Sequence, residues 1–129
     1  MNKSILFTAI AGILLIYNLS LFAQKTVKPG LKATISGVSY GDISKELLLN
    51  PGAILCSNEK YQVIYYNLSV LRKNGDLVVY NGRGSILSES MKAEIRLLEA
   101  GSKLIIEEIG AKSDLDKIIK LPAIEVVIK

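Results

Sequence analysis

Histidine is absent from this sequence, and cysteine occurs once, as Cys56. The first absence removes the usual base of Ser-His-Asp and Cys-His catalysis and the commonest partner of cysteine in zinc sites. The second leaves no internal disulfide, whatever the redox state of the compartment. Cys56 closes the apolar run Ala53-Ile54-Leu55-Cys56, which predicts a buried thiol rather than a reactive one. It also lies far from the N-terminal apolar run, so the chain lacks the cysteine that a bacterial lipoprotein carries there. Charge of one sign is not segregated either. The 16 Lys and Arg are interspersed with the 12 Asp and Glu, for a net charge of +4. That pattern predicts a mixed, solvated surface and no nucleic-acid partner.

What is present begins with Lys3, the single early charge, followed by the apolar runs Ile5 to Tyr17 and Leu19 to Ala23. The chain then turns polar at Gln24, and a Pro29-Gly30 turn follows. This is the pattern of a secretory signal peptide over residues 1–23, cleaved between Ala23 and Gln24. The competing reading is an uncleaved anchor, because the run approaches the ~20 apolar residues of a spanning helix. Only in that case is membrane contact expected. Residues 24–129 are enough for a single domain, one that buries roughly two-thirds of its unfolded surface. The expected location is the periplasm or the exterior.

Along that domain, Ala33 to Tyr40 alternates as a first strand, and Gly41 to Leu49 forms a helical turn or a loop that buries Ile43 and Leu47. Tyr61 to Lys73 is rich in Tyr, Val and Ile and reads as the strongest internal strand. Its alternation slips: Tyr61, Val63 and Tyr65 share one phase and Tyr66, Leu68 and Val70 the other, which predicts a bulge near Tyr65 and Tyr66 that keeps both sets facing the core. Asn74-Gly75 predicts a two-residue hairpin turn into a return strand from Asp76 to Tyr80. Ser88 to Ala100 is the one good helix, with Ser88 or Ser90 as cap, Met91, Ile95 and Leu98 on the buried face, and Gly101 as terminator.

The last stretch carries the most internal order. Two apolar runs, Leu104 to Ala111 and Ile119 to Ile128, flank the polar connector Lys112 to Lys117 and predict a long terminal hairpin. Its register pairs Leu104 with Val126, Ile106 with Ile124, Ile109 with Leu121 and Ala111 with Ile119. Both runs slip by one residue at the same level. Each strand is therefore expected to change faces midway, as a ribbon crossing between the two sheets of a sandwich would. Ile105, Val127 and Ile118 fall outside the core phase. They lie either beneath the helix or second sheet, or on an exposed face.

Several motifs invite a chemical reading and resist it. Ser57-Asn58-Glu59-Lys60 has the Ser-x-x-Lys spacing of some acyl-transferases, but that chemistry needs a helix and partner motifs, and a turn is expected here. Glu107 and Glu108 can converge only at a bulge, and Asp114 and Asp116 lack the further ligands and glycine of a calcium loop. Gly82-Arg83-Gly84 lacks the lysine of a phosphate loop, and the glycosylation pattern Asn67-Leu68-Ser69 falls mid-strand. The tyrosines could line a carbohydrate or peptide platform, although alternate strand positions favour core packing. No catalytic residue, metal ligand or cofactor site is assigned.

The chain resembles the C-terminal periplasmic domain of the GldM/PorM family of the gliding-motility and type IX secretion machinery of Bacteroidetes. The carrying residues run in order: Gly41-Asp42-Ile43-Ser44; Asn67-Leu68-Ser69-Val70; Met91 to Ile95 leading to Ala100-Gly101; Ile106 to Lys112; and Lys120-Leu121-Pro122-Ala123-Ile124. They span nearly the whole mature chain. The resemblance implies a domain without catalytic role, placed in that family at the end of a dimeric shaft reaching toward an outer-membrane ring. With a signal segment and one domain, this chain is expected to be a free-standing binding module instead.

The fold expected is mainly β, an Ig-like β-sandwich with one short α-helix and a long C-terminal β-hairpin. The function expected is a non-enzymatic, exported protein-interaction domain, an accessory of the type IX secretion or gliding machinery. Its partners would be envelope proteins, secretion-machinery components or further copies of itself. The alternative is a small secreted hydrolase or ligand-binding carrier using Ser57 and Lys60 or a tyrosine-lined pocket.

Overall fold

The longest terminal run, Lys103–Lys112, forms a ten-residue strand whose alternation cannot be regular if all its large apolar side chains are to face one core. A computed structural model, which describes residues 30–129, shows how the conflict is resolved. The proposed signal segment lies outside the described residues. Glu107 and Glu108 are both exposed, and Glu108 takes φ +52, so one extra residue is absorbed as a bulge. Leu104 and Ile106 before it, and Ile109 and Ala111 after it, are all at 0% exposure in one core. The strand does not change faces. It keeps one face by bulging, and both halves stay in one sheet, which corrects the expected crossing between sheets.

The hairpin register is the expected one. Ile109 pairs with Leu121 and Ala111 with Ile119 in one half, and Leu104 pairs with Val126 and Ile106 with Ile124 in the other. Pro122 and Ala123 break the returning chain into two strands, Ile118–Leu121 and Ile124–Ile128, because proline cannot donate to a ladder.

Numbered in chain order, the strands are β1 (Ala33–Ile35), β2 (Tyr40–Ile43), β3 (Ile54–Cys56), β4 (Gln62–Leu71), β5 (Leu77–Arg83), β6 (Lys103–Lys112), β7 (Ile118–Leu121) and β8 (Ile124–Ile128). The helices are α1 (Lys45–Leu49) and α2 (Glu89–Arg96). The six-stranded sheet runs β2-β8-β6-β4-β5, with β7 also on β6, and the β2–β8 pair is parallel. A two-stranded sheet, β1 with β3, lies in the opposing layer with the helices and closes the mainly β sandwich. Ala33, Ile35, Leu48, Ile54, Met91 and Ile95 from that layer join Leu68, Val70, Leu104 and Ile106 in one buried cluster. Each buried Leu or Ile contributes ~1.5–3 kcal/mol, which outweighs exposed ion pairs at ~0–1 kcal/mol each.

Local structure departs from expectation where turn chemistry intervenes. The first strand stops at Ile35 because Ser36 (φ +52) and Gly37 (φ +80) form a tight turn, closed by reciprocal hydrogen bonds between Ile35 and Val38. Ser44 caps α1 by accepting from the Leu47 N–H at 3.2 Å, so the helix starts after Ile43. Leu48, not Leu47, then points inward. The β4–β5 loop is three residues long rather than two: Arg72 pairs across it with Asp76, and only Gly75 takes positive φ. In α2, Ser88 is the cap and Met91, Ile95 and Leu98 are buried as expected, but the helix closes at Leu97, well before Gly101.

Strand β4 does bulge, but at Ile64 and Tyr65, where its register with β6 shifts between Val63 and Tyr65. Val63 and Tyr66 therefore both face the core, whereas Tyr65, expected inward with Val63, turns to the other face by the ordinary alternation of neighbours along a strand. Tyr66 crosses its paired residue Gly82 on the core side, and Tyr65 crosses its paired residue Gly110 on the other. A methyl group at either glycine would stand 2.1 Å from a ring carbon. Tyr66 is 1% exposed, and its hydroxyl donates to the Ile86 carbonyl at 3.0 Å and approaches Met91 Sδ at 3.2 Å. Burial pushes its pKa up to about 12. Tyr66 has nowhere to move, whereas the half-buried Tyr65 can swing toward solvent. Gly82→Ala should therefore cost about 3 kcal/mol or more and Gly110→Ala about 1–2 kcal/mol, measured by urea unfolding.

Candidate functional site

The alternation that buries Leu68, Val70, Leu104, Ile106, Val126 and Ile128 sends the intervening residues to the other side of the sheet. There the strand registers line up in rows. One row reads Leu77, Leu71, Lys103, Val127, Asp42 from β5 to β2. The next reads Val79, Ser69, Ile105, Glu125, Tyr40. A third joins Asn81, Asn67 and Glu107.

Helix α2 packs on the opposite side, through Met91 and Ile95 against the buried cluster that includes Tyr66. Ile105 and Val127 are thus on the face turned away from it, each half-buried by its neighbours. Leu77 is 62% exposed, Val79 57% and Tyr40 78%, so the face is open among the described residues. Its apolar residues alternate with Lys103, Ser69 and Glu125 along the rows and form their densest group at Leu71, Leu77 and Val79 toward β5.

At its far end the face turns polar. Arg83, Tyr65, Gly110 and Lys120 form one cross-strand row. Lys120 Nζ lies 2.9 Å from Glu108 Oε1 and 5.2 Å from the Tyr65 ring centre, and its hydrogen bond to Glu108 raises its pKa. The bulge thus turns the Glu108 carboxylate to Lys120, an ion pair not apparent from their separation in sequence.

The other residues singled out in the sequence stay in structural roles. Ser57 and Lys60 occupy the bend and turn after β3: Ser57 Oγ accepts from the Lys32 N–H at 3.0 Å, and Asn58 Oδ1 accepts from the Lys60 N–H at 2.9 Å. A turn replaces the helix that Ser-Lys chemistry requires. Asp116 takes φ +61 in the β6–β7 loop and pairs with Lys112 at 3.1 Å, while Asp114 is exposed. No group of three or more His, Cys, Asp or Glu placed to hold a metal occurs among the described residues. Asn67 lies mid-strand in β4, and Gly82 lies under the Tyr66 ring. Cys56 is half-buried rather than buried, because it ends a strand of the small sheet and borders a cleft with Glu59 and Tyr61.

One cluster escaped the sequence reading. The Arg72 guanidinium grips Glu94 with two hydrogen bonds, Nε to Oε2 at 2.7 Å and Nη2 to Oε1 at 2.9 Å, and the Tyr80 hydroxyl donates to Oε1 at 3.3 Å. It ties α2 to the β4–β5 hairpin beside a cleft of about 310 Å3. Only tertiary packing brings these residues together. The Arg72 hydrogen bonds hold the Glu94 carboxyl below the usual range, and burial, with Glu94 adding to it, raises the Tyr80 phenol. A lowered carboxyl pKa contributes stability that is present above the unfolded value and lost as pH falls through the folded one. Glu94→Gln should therefore lower the melting temperature at neutral pH, and the gap to the parent chain should close as the pH is taken below the normal glutamate range. Thermal melts across acid pH check this.

No family model matches the chain, and no curated protein matches it either.

Proposed function

We propose that this chain is a non-enzymatic, exported protein-interaction domain that serves the type IX secretion or gliding machinery from the periplasm. The observation that carries the interaction reading is the open face of the six-stranded sheet, where Leu71, Leu77, Val79, Ile105 and Val127 lie in two adjacent rows, with Lys103 and Ser69 between them, without a covering layer among the described residues. Exposed apolar residues grouped on one uncovered sheet face, as Leu71, Leu77 and Val79 are here, mark a surface suited to an interaction. The resemblance to the GldM/PorM C-terminal domain supports the choice of machinery, and the Lys3 and apolar-run pattern supports export.

Ile105→Glu and Val127→Glu, made separately, place a charge on this face without touching the core. Each should cost about 1 kcal/mol or less in stability and abolish recovery of the envelope partner in affinity isolation from the host. Unchanged recovery with both variants refutes the face as the binding surface. Export is checked independently by N-terminal sequencing of the mature protein. Gln24 should be the first residue, and a retained Met1 in the membrane fraction would replace export by anchoring.

A further inference from the structure

Three strands end the hydrogen-bonding ladder of the large sheet among the described residues: β2, β7 and β5. Two of these edges are short and blunted. β2 has four residues, with Asp42 and a Gly41 at φ +107, and β7 has four and runs directly into Pro122. β5 is different. It has seven residues in unbroken register with β4, without proline or bulge, and its one charge, Arg83, stands at its very end, so little protects the Leu77–Val79 stretch of the edge.

Its backbone groups can be assigned from the bonds at its two ends. The Arg72 N–H donates to the Asp76 carbonyl and the Gly84 N–H to the Ile64 carbonyl, each at 2.8 Å, so residues in the phase of Asp76 and Gly84 face β4. In an antiparallel ladder the alternate residues, Leu77, Val79, Asn81 and Arg83, turn their N–H and C=O groups outward. Their side chains are the β5 border of the open face. No described residue outside β4 bonds to this edge, and Arg83 takes part in none of the ion pairs among the described residues.

We infer that β5 is a docking edge for an extended, acidic segment of a partner protein, which adds to the sheet as a further strand. The inference rests on the interaction reading above and names its site and partner chemistry. Main-chain hydrogen bonds supply affinity in such additions, and alternate side chains supply selectivity. Apolar side chains of the incoming strand extend the Leu77 and Val79 patch, and an acidic one meets Arg83. The sign of charge favours a foreign segment over a second copy. The chain carries +4, and +3 once Lys3 is removed with the signal segment, so two copies repel, and the exposed Arg83 guanidinium lies at the edge itself. Area points the same way. A seven-residue edge is about 23 Å long and buries far less than the roughly 800 Å2 per partner of a stable dimer.

The test uses the mature chain and two capped peptides, one alternating valine with glutamate and the other valine with lysine. Hydrogen exchange by NMR should show the amides of Leu77, Val79 and Asn81 slowed about tenfold or more by the glutamate peptide and little by the lysine one. Val79→Pro removes one outward donor and leaves the β4 ladder whole, so it should weaken binding about tenfold. Leu77→Lys keeps every backbone donor and serves if the proline variant fails to fold; it too should weaken binding, by breaking the apolar border. Arg83→Glu should transfer the preference to the lysine peptide. Protection at Tyr40–Ile43 or Ile118–Leu121 instead, equal binding of both peptides, dimerisation through β5, or no binding overturns the inference. Recovery of the envelope partner separates the two levels: Val79→Pro that still recovers a partner lost by Ile105→Glu refutes this edge and leaves the interaction reading standing. No partner recovered by the parent chain refutes that reading, and the peptide exchange pattern still decides the edge.

Discussion

Strand β6 has to present Leu104, Ile106, Ile109 and Ala111 to a single core although their spacing does not fit a regular strand. An unbulged strand would turn one pair of these residues to solvent, at a loss of several kcal/mol by ~1.5–3 kcal/mol for each large side chain. Holding Glu108 at φ +52 costs on the order of 1–2 kcal/mol, so the bulge is the cheaper solution. Most of the sheet follows from it. Because β6 is central, pairing with β4 along one edge and with β7 and β8 along the other, its irregularity is copied to both sides. The bulge in β4 and the break at Pro122-Ala123 lie alongside it.

The β4 bulge also decides what each face of the sheet contains. By placing Tyr65 and Tyr66 in register with the glycines of the neighbouring strands, it lets one ring seal the core and the other lie along the open face. Each ring takes the space left by a facing glycine, Tyr66 beneath α2 and Tyr65 on the uncovered side. The helical layer is fastened to the same strands from the other side, by the Tyr66 hydroxyl near Met91 and by the Arg72–Glu94–Tyr80 cluster. Two-point guanidinium–carboxylate geometry gives that cluster more orienting power than the exposed pairs at Lys112–Asp116 or Lys92–Glu89. With α2 held on one face, the other is left with apolar residues and no described layer over them.

An open face and an unprotected edge coincide at β5. Edge strands of this length are normally blunted by proline, a bulge or several charges, and β5 has only the terminal Arg83. Here the outward backbone groups and the exposed Leu77 and Val79 belong to the same residues, so a strand added at this edge would extend the hydrogen-bonded ladder and cover apolar surface together. The domain's chemistry is consistent with such a role. Its charged clusters are satisfied internally, as at Glu94 and Lys120, and Ser57 and Lys60 are held in a turn rather than aligned for reaction.

Sequence alone determined the features that depend on neighbours along the chain or on one strong period. The mainly β class, the register of the terminal hairpin, the presence of a bulge in β4 though not the outward Tyr65, the Ser88 cap and the buried Met91, Ile95 and Leu98 were legible, because alternation, capping and helical spacing are local signals. The same patterns overstated the length of α2, put Leu47 inward instead of Leu48, and implied a change of face in β6, because periodicity shows that a phase slips and not how the backbone absorbs the slip. The split at Ser36-Gly37 turned on two residues' φ and the three-residue loop at Gly75 on one, which propensity does not specify. Only the tertiary structure decided that Ile105 and Val127 lie away from the helix, that Arg72 reaches Glu94, and that β5 is an edge. Each of those is a relation between residues distant in the chain, set by which layers pack together rather than by any one segment's preference.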